Sequence, residues 1–166
     1  MSSTINKTPA PAGIPAATFN RILDEGYGPG AWYGSDLRAA TADVGPAAAF
    51  RRPGDGRRSI AEIALHHAYW AGEIDRKLAG GPARPFPLAG EDWFDLEDGA
   101  TLSWATVQAT LEAAQDRLSR TVADIGAGRC ESPLDEDERF GLVLGITGHA
   151  AYHAGQIQLI KKLLAA

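Results

Sequence analysis

Residues 59–81 read SIAEIALHHAYWAGEIDRKLAGG, and this stretch decides what kind of fold the chain adopts. Ser59 followed three residues later by Glu62 is a capping-box pattern, which marks the first turn of a helix. Apolar side chains then recur at helical spacings, and the pair Gly80 and Gly81 provides a stop signal. The stretch therefore predicts one long amphipathic helix. Its apolar positions are Ile60, Ile63, Trp70, Ile74 and Leu78.

The chain before this helix is predicted to form one long and one short helix. The long helix runs from Pro15 to about Tyr27, because proline suits the opening turn of a helix. Residues 26–36 are rich in glycine and are predicted to form a loop. Ser35 is then expected to cap a short helix that continues through Val44.

The chain after this helix is predicted to form two more long helices. A regular apolar stripe follows Ser103 and stops at Gly126, and the last helix is expected from about Arg139 to Leu164. Residues 81–100 form a long connection, of a length that is more often functional or packed over a core than idle. Since no stretch alternates with a period of two residues, the sequence predicts an all-α four-helix bundle.

Length, charge and cysteine content narrow the class of protein. The 166 residues suit one domain at residues 14–166, preceded by a flexible leader at residues 1–13. A net charge of −5 disfavours binding to nucleic acid. The chain has neither an apolar run long enough to span a membrane nor an apolar secretion signal. The single cysteine, Cys130, fits a reducing compartment, so we expect a cytoplasmic protein.

The four histidines of the chain fall into two tight pairs, His66 with His67 and His149 with His153. A spacing of four residues places the second pair on one face of a helix, which is how one helix supplies two ligands to one metal. One such pair is often structural, but here a second helix adds histidines and none lies elsewhere. Three imidazoles would leave a coordination position open, and Zn²⁺, Ni²⁺, Fe²⁺ or Mn²⁺ could use these nitrogens. We therefore predict a divalent-metal site.

Periodicity leaves open which histidine of the first pair binds the metal. His67 falls on the apolar stripe that would face the core of the bundle. His66 shares a more polar face with Glu62, Trp70 and Glu73. A bundle that holds a hydrated metal in its interior could turn this second face inward, so the helical pattern alone favours neither histidine.

Four segments of the chain resemble the DinB-like superfamily of metal-dependent enzymes. The most specific are SIAEIALHHAYW at residues 59–70 and GHAAYHAGQIQLIKKL at residues 148–163. ILDEGYGPGAWYGSDLRAA at residues 22–40 is similar to the first helix and loop of the family. EDWFDL at residues 91–96 takes the place of its central tryptophan-containing segment. The resemblance covers roughly residues 19–164 and implies an up-down-down-up bundle, a homodimer and three histidines around one divalent metal.

Carried over by register, the resemblance implies that the metal ligands are His66, His149 and His153. The ligand on the second long helix falls seven residues after Ser59, which is the position of His66. His67 occupies a position that is usually apolar in the family, in agreement with its place on the core stripe. The resemblance thus implies that His66 binds the metal and that His67 packs.

The resemblance also implies small-molecule chemistry, because relatives include bacillithiol- and mycothiol-dependent S-transferases. We expect a metal-dependent thiol S-transferase or hydrolase in stress response or detoxification. Its partners would be a small-molecule substrate and a low-molecular-weight thiol as co-substrate. The alternative is a non-catalytic bundle that binds a metal or a small ligand, since a fold does not by itself imply a function.

Two further residues are candidates for a catalytic role. Glu62 lies one turn before His66 and could orient it, because metal-bound imidazoles usually donate their second N–H to a carboxylate or carbonyl. Closing the capping box is the other role predicted for Glu62. Gln156 lies one turn after His153 and could contact substrate, or it could close a contact between helices.

Overall fold

The structure is a computed structural model that describes residues 14–97 and 99–165, so the predicted leader at residues 1–13 lies outside the described residues. Regular secondary structure in the described ranges is entirely helical, which confirms the predicted all-α class. None of these helices has the length and hydropathy needed to cross a lipid bilayer. The helices are α1 (Ala16–Tyr27), α2 (Leu37–Ala42), α3 (Pro46–Phe50), α4 (Ile60–Ala79), α5 (Trp104–Gly126) and α6 (Glu136–Ala165).

The four long helices close into a bundle around one apolar core. Helix α4 packs against α5 and α6, and α1 packs against the same two helices, so each long helix has two long neighbours. The short helix α2 lies against α6 and α1, and α3 lies against α4 and α5. The up-down-down-up order and the homodimer stay predictions. Large side chains buried in the core include Leu23, Leu65, Leu111, Leu118 and Ile157.

Local capping signals set the ends of α4 and α5 where the sequence predicts them. The Ser59 hydroxyl accepts a hydrogen bond from the Glu62 amide at 3.2 Å, and the Glu62 carboxylate accepts one from the Ser59 amide at 2.7 Å. Gly80 ends α4 with φ of 69°, in the left-handed region that glycine tolerates best. Ser103 caps α5 by accepting a hydrogen bond from the Thr106 amide at 3.1 Å.

The segment between α1 and α4 differs from the prediction at both ends of α2, which stops at Ala42 instead of Val44, and in having one further short helix. Helix α2 is capped by Asp36 rather than Ser35, and its carboxylate accepts a hydrogen bond from the Ala39 amide at 3.0 Å. A carboxylate is the stronger acceptor here because its charge also suits the positive end of the helix dipole. In addition, a separate short helix, α3, begins with Pro46 at its first turn.

Helix α6 begins earlier than predicted, at Glu136 instead of Arg139. Asp135 and Glu138 exchange hydrogen bonds between side chain and backbone, each of 2.9 Å. This reciprocal pair has the form of a capping box and satisfies amides of the first turn. The acidic, proline-containing approach to α6 therefore contains a helix start as well as a loop.

Candidate metal centre

Three histidines from two packed helices meet inside the bundle. His66 lies on α4, and His149 and His153 lie on α6. The Nε2 atom of His149 is 3.0 Å from the Nε2 atoms of both His66 and His153. One ligand atom from each of the three residues lies within 4.8 Å of the others. The structure thus brings together the three predicted ligands in a group that can hold a metal ion.

Hydrogen bonds on the far side of two rings decide where their protons lie. His66 Nδ1 is 2.8 Å from the backbone oxygen of Asp92, and His153 Nδ1 is 2.7 Å from Oε1 of Gln156. Because these oxygens only accept, each Nδ1 carries the proton and each Nε2 is left bare. Two bare nitrogens bound to Zn²⁺ at about 2.0–2.1 Å in a tetrahedral site would lie about 3.3–3.4 Å apart, so the observed 3.0 Å has to widen by only a few tenths of an ångström. The donor set therefore fits a divalent cation.

Burial keeps the three rings neutral at ordinary pH. Burial and the neighbouring His153 lower the pKa of His149 to about 4. Burial likewise lowers the pKa of His153 to about 4, although its hydrogen bond with Gln156 opposes the shift. The pKa of His66 is also lowered by burial, and Asp92 partly offsets the effect. Neutral imidazole is the form that binds a metal, so little protonation has to be reversed.

Two residues of the long connection hold His66 in place. Asp92 has φ of 66°, a left-handed conformation that aspartate tolerates better than most residues, and its carbonyl faces His66. The Asp92 carboxylate also accepts a hydrogen bond from Nε1 of Trp70 at 2.7 Å. Trp93 stacks on His66 with ring centroids 3.8 Å apart and an angle of 3° between planes. Sequence reasoning assigned no role to Asp92.

Gln156 touches the histidine cluster directly, as a support for one of the rings. Its Oε1 accepts the proton of His153 Nδ1, and its Nε2 donates to the hydroxyl of Tyr152 at 2.8 Å. These two contacts fix the orientation of the amide. The residue therefore orients a predicted ligand, whereas the sequence suggested a contact with substrate or between helices.

The orienting role suggested for Glu62 belongs to another residue. Glu62 is fully buried, and its carboxylate accepts hydrogen bonds from donors other than His66. The acceptor for the His66 ring is the Asp92 carbonyl. Glu62 instead closes the capping box and anchors the connection that follows α4. Its hydrogen-bond partners are Ser59, Leu96, Arg52 and Arg58.

A helical bundle whose neighbouring helices present three inward-facing imidazoles can hold a divalent metal in its core, as other helical bundles do. The sequence pattern of the DinB superfamily matches residues 32–157, and the chain belongs to that superfamily. The matched range includes His66, His149 and His153. Neither a curated protein nor a solved structure matches the chain.

The metal-free protein is expected to lose stability as the pH falls from 6.5. In the unfolded chain histidines protonate near pH 6.5, whereas folded His149 and His153 protonate only at about 4. Between these values the unfolded state binds more protons, so the free energy of unfolding falls as the pH is lowered. Urea denaturation between pH 7 and about pH 5, where most carboxylates stay ionised, measures the slope. A His149→Ala/His153→Ala double variant should show a flatter slope, and an equal slope would contradict the assignment.

Proposed function

We propose that the protein is a divalent-metal-dependent enzyme that transfers a low-molecular-weight thiol to a small electrophile, with hydrolysis as the other reaction open to the same site. The observation that carries the proposal is the convergence of three Nε2 atoms, from His66, His149 and His153, of which those of His66 and His153 are unprotonated. A divalent ion bound there would lower the pKa of a coordinating thiol or water, and so produce a nucleophile near neutral pH.

A cavity of about 560 Å³, lined in part by Trp93 and Gln156, supports a small-molecule substrate. Trp93, which stacks on His66, and Gln156, which binds His153, both line this cavity. Pockets for small molecules usually measure roughly 300–1,000 Å³ and combine apolar walls with a few polar groups. A ligand in the cavity would lie against the two residues that support the metal ligands. Other residues of the wall are Ile63, Arg58 and Leu159.

Each residue of the site has a defined task in the proposed reaction. The three histidines would hold the ion as neutral donors, and the Asp92 carbonyl and Gln156 keep two of the rings in position. Trp93 covers one face of His66 and excludes water there. The thiol loses its S–H proton to solvent, its sulfur bonds to the electrophilic carbon, and the leaving group departs with the bonding electron pair. We place this chemistry in the cytoplasm, where reducing conditions keep thiols free.

A non-catalytic bundle that sequesters a metal is the second candidate. The burial of two ligands favours it, because His66 is 5 % exposed and His153 is 2 % exposed. Structural metal sites are closed, whereas catalytic sites keep one coordination position open. The half-buried His149 is the most accessible of the three, so the two candidates differ in whether a substrate reaches the ion beside this residue.

Thiol consumption separates the two candidates. Metal-loaded protein should consume a low-molecular-weight thiol in the presence of a generic electrophile. His149→Ala should lower the rate more than about 100-fold, beyond the effect of losing an orienting partner alone. Lys162→Ala, at an exposed position of the same helix, should leave the rate unchanged. Metal-loaded protein that neither consumes thiol nor hydrolyses a model ester would favour sequestration, and full activity in His149→Ala would remove the enzyme proposal.

A further inference from the structure

The second histidine of the α4 pair, His67, makes a contact that packing alone does not explain. Its side chain is fully buried, and its Nδ1 lies 2.9 Å from Nδ1 of His149. The two rings are nearly parallel, with an angle of 22° between planes. His149 presents its other nitrogen, Nε2, to the metal centre. His67 therefore stands directly behind one of the three predicted ligands.

The proton positions in this contact follow from the chemistry of imidazole. Two nitrogens that share a hydrogen bond need one donor and one acceptor, and a neutral imidazole has one of each. If His149 is to complete the donor set, its Nε2 must be bare, and its Nδ1 must carry the proton. His67 Nδ1 is then the acceptor, and the proton of His67 must lie on Nε2.

The proton on His67 Nε2 needs an acceptor inside the core, and the buried Oε1 of Gln115 is an acceptor that has no partner of its own. Both His67 Nε2 and Gln115 Oε1 are buried, and neither has a hydrogen bond of ordinary geometry. Burial and the other histidines hold the pKa of His67 well below its usual range, and Gln115 partly opposes that shift. Because buried polar groups are usually hydrogen-bonded, we infer that this donor and this acceptor serve each other.

We propose that His67 is a positioning residue of the metal centre, which accepts a hydrogen bond from Nδ1–H of His149 and is itself anchored by Gln115 on α5. The inference rests on the metal site of the proposed function and adds to it a residue that contacts one of the ligands. All three ligands then have an acceptor behind them: the Asp92 carbonyl, the Gln156 amide oxygen and the His67 ring. Such partners fix the orientation of ligating rings and raise their basicity.

Two substitutions of similar size separate positioning from packing. His67→Asn places an amide oxygen near the former Nδ1 and keeps an acceptor for His149. His67→Leu fills the same core space with an apolar group and leaves the His149 N–H without an acceptor. We expect His67→Leu to weaken Zn²⁺ binding about 10–100-fold, measured by competition with a chelator, and His67→Asn to recover most of that loss. A packing role predicts the opposite order, because leucine suits an apolar core better than asparagine.

Gln115→Met provides a test that leaves both histidines intact. It removes the acceptor while keeping an unbranched side chain of similar length, and we expect a smaller loss of Zn²⁺ affinity than for His67→Leu. The zinc-loaded wild type should also show a downfield imidazole N–H resonance for the bond between His149 and His67, which disappears in His67→Leu. Wild-type Zn²⁺ affinity in His67→Leu would overturn the positioning role alone. A wild-type protein that binds no Zn²⁺ would overturn the metal site as well, so the two failures are distinct.

Discussion

His66→Ala is expected to abolish stoichiometric metal binding. The substitution removes the one donor that α4 contributes and leaves two imidazoles on α6, which are too few for a tight site. His67 cannot take over, because its Nδ1 already contacts Nδ1 of His149 and it is not one of the three residues whose ligand atoms converge. Protein prepared without a histidine tag and reconstituted with Zn²⁺, Ni²⁺, Fe²⁺ or Mn²⁺ should hold about one equivalent of metal. The variant should retain less than about a tenth of an equivalent by elemental analysis.

Lys77→Ala is the matched control for this experiment, since Lys77 lies exposed on the same helix and should retain the full metal content. His67 variants should still reach one equivalent at saturating metal, because they weaken the site without removing a donor. Metal retained in His66→Ala but lost in His67→Ala would show that the ligand register is wrong by one residue. An unloaded wild-type protein after all four reconstitutions would contradict the metal site itself.

The helices were largely predictable because their signals are local. The capping box of Ser59 and Glu62 and the stop at Gly80 act within one or two turns, so a short window contains the whole interaction. The start of α6 depends on the same kind of local interaction, between Asp135 and Glu138. The sequence nevertheless predicts this start three residues too late. There the motif lies in an acidic stretch with a nearby proline, whose composition is that of a loop.

The site was predictable only where it depends on one helix. The spacing of His149 and His153 is a property of α6 alone, and it predicts a shared ligand face however the helices pack. The supports of the rings come from elsewhere. Asp92 depends on a left-handed backbone conformation in an irregular connection, which no periodic pattern encodes. The contact between His67 and His149 depends on how α4 and α6 are rotated against each other, and so it appears only in the packed bundle.

Glu62→Ala is expected to lower the free energy of unfolding by about 1–3 kcal/mol, the usual cost of leaving a buried donor without its acceptor. The carboxylate is 0 % exposed and accepts hydrogen bonds from the amides of Ser59 at 2.7 Å and Leu96 at 3.3 Å. It also pairs with Arg52 and Arg58. Burial raises the pKa of Glu62, but Arg52 and the two amides outweigh burial and hold the pKa below its usual value. Alanine leaves these donors without their buried acceptor, and urea denaturation measures the loss.

Asp95→Ala is the matched control, because Asp95 binds the same two arginines but is 74 % exposed. Exposed ion pairs contribute about 0–1 kcal/mol, so the two carboxylates should differ several-fold in their effect on stability. If Glu62→Ala does not fold, Glu62→Gln keeps one acceptor and should show a smaller loss in the same direction. Equal effects at both positions would contradict the stabilising role of burial. A folded Glu62 variant that loses its metal would show that Glu62 orients His66 after all, since capping and ion pairing alone leave the three nitrogen donors in place.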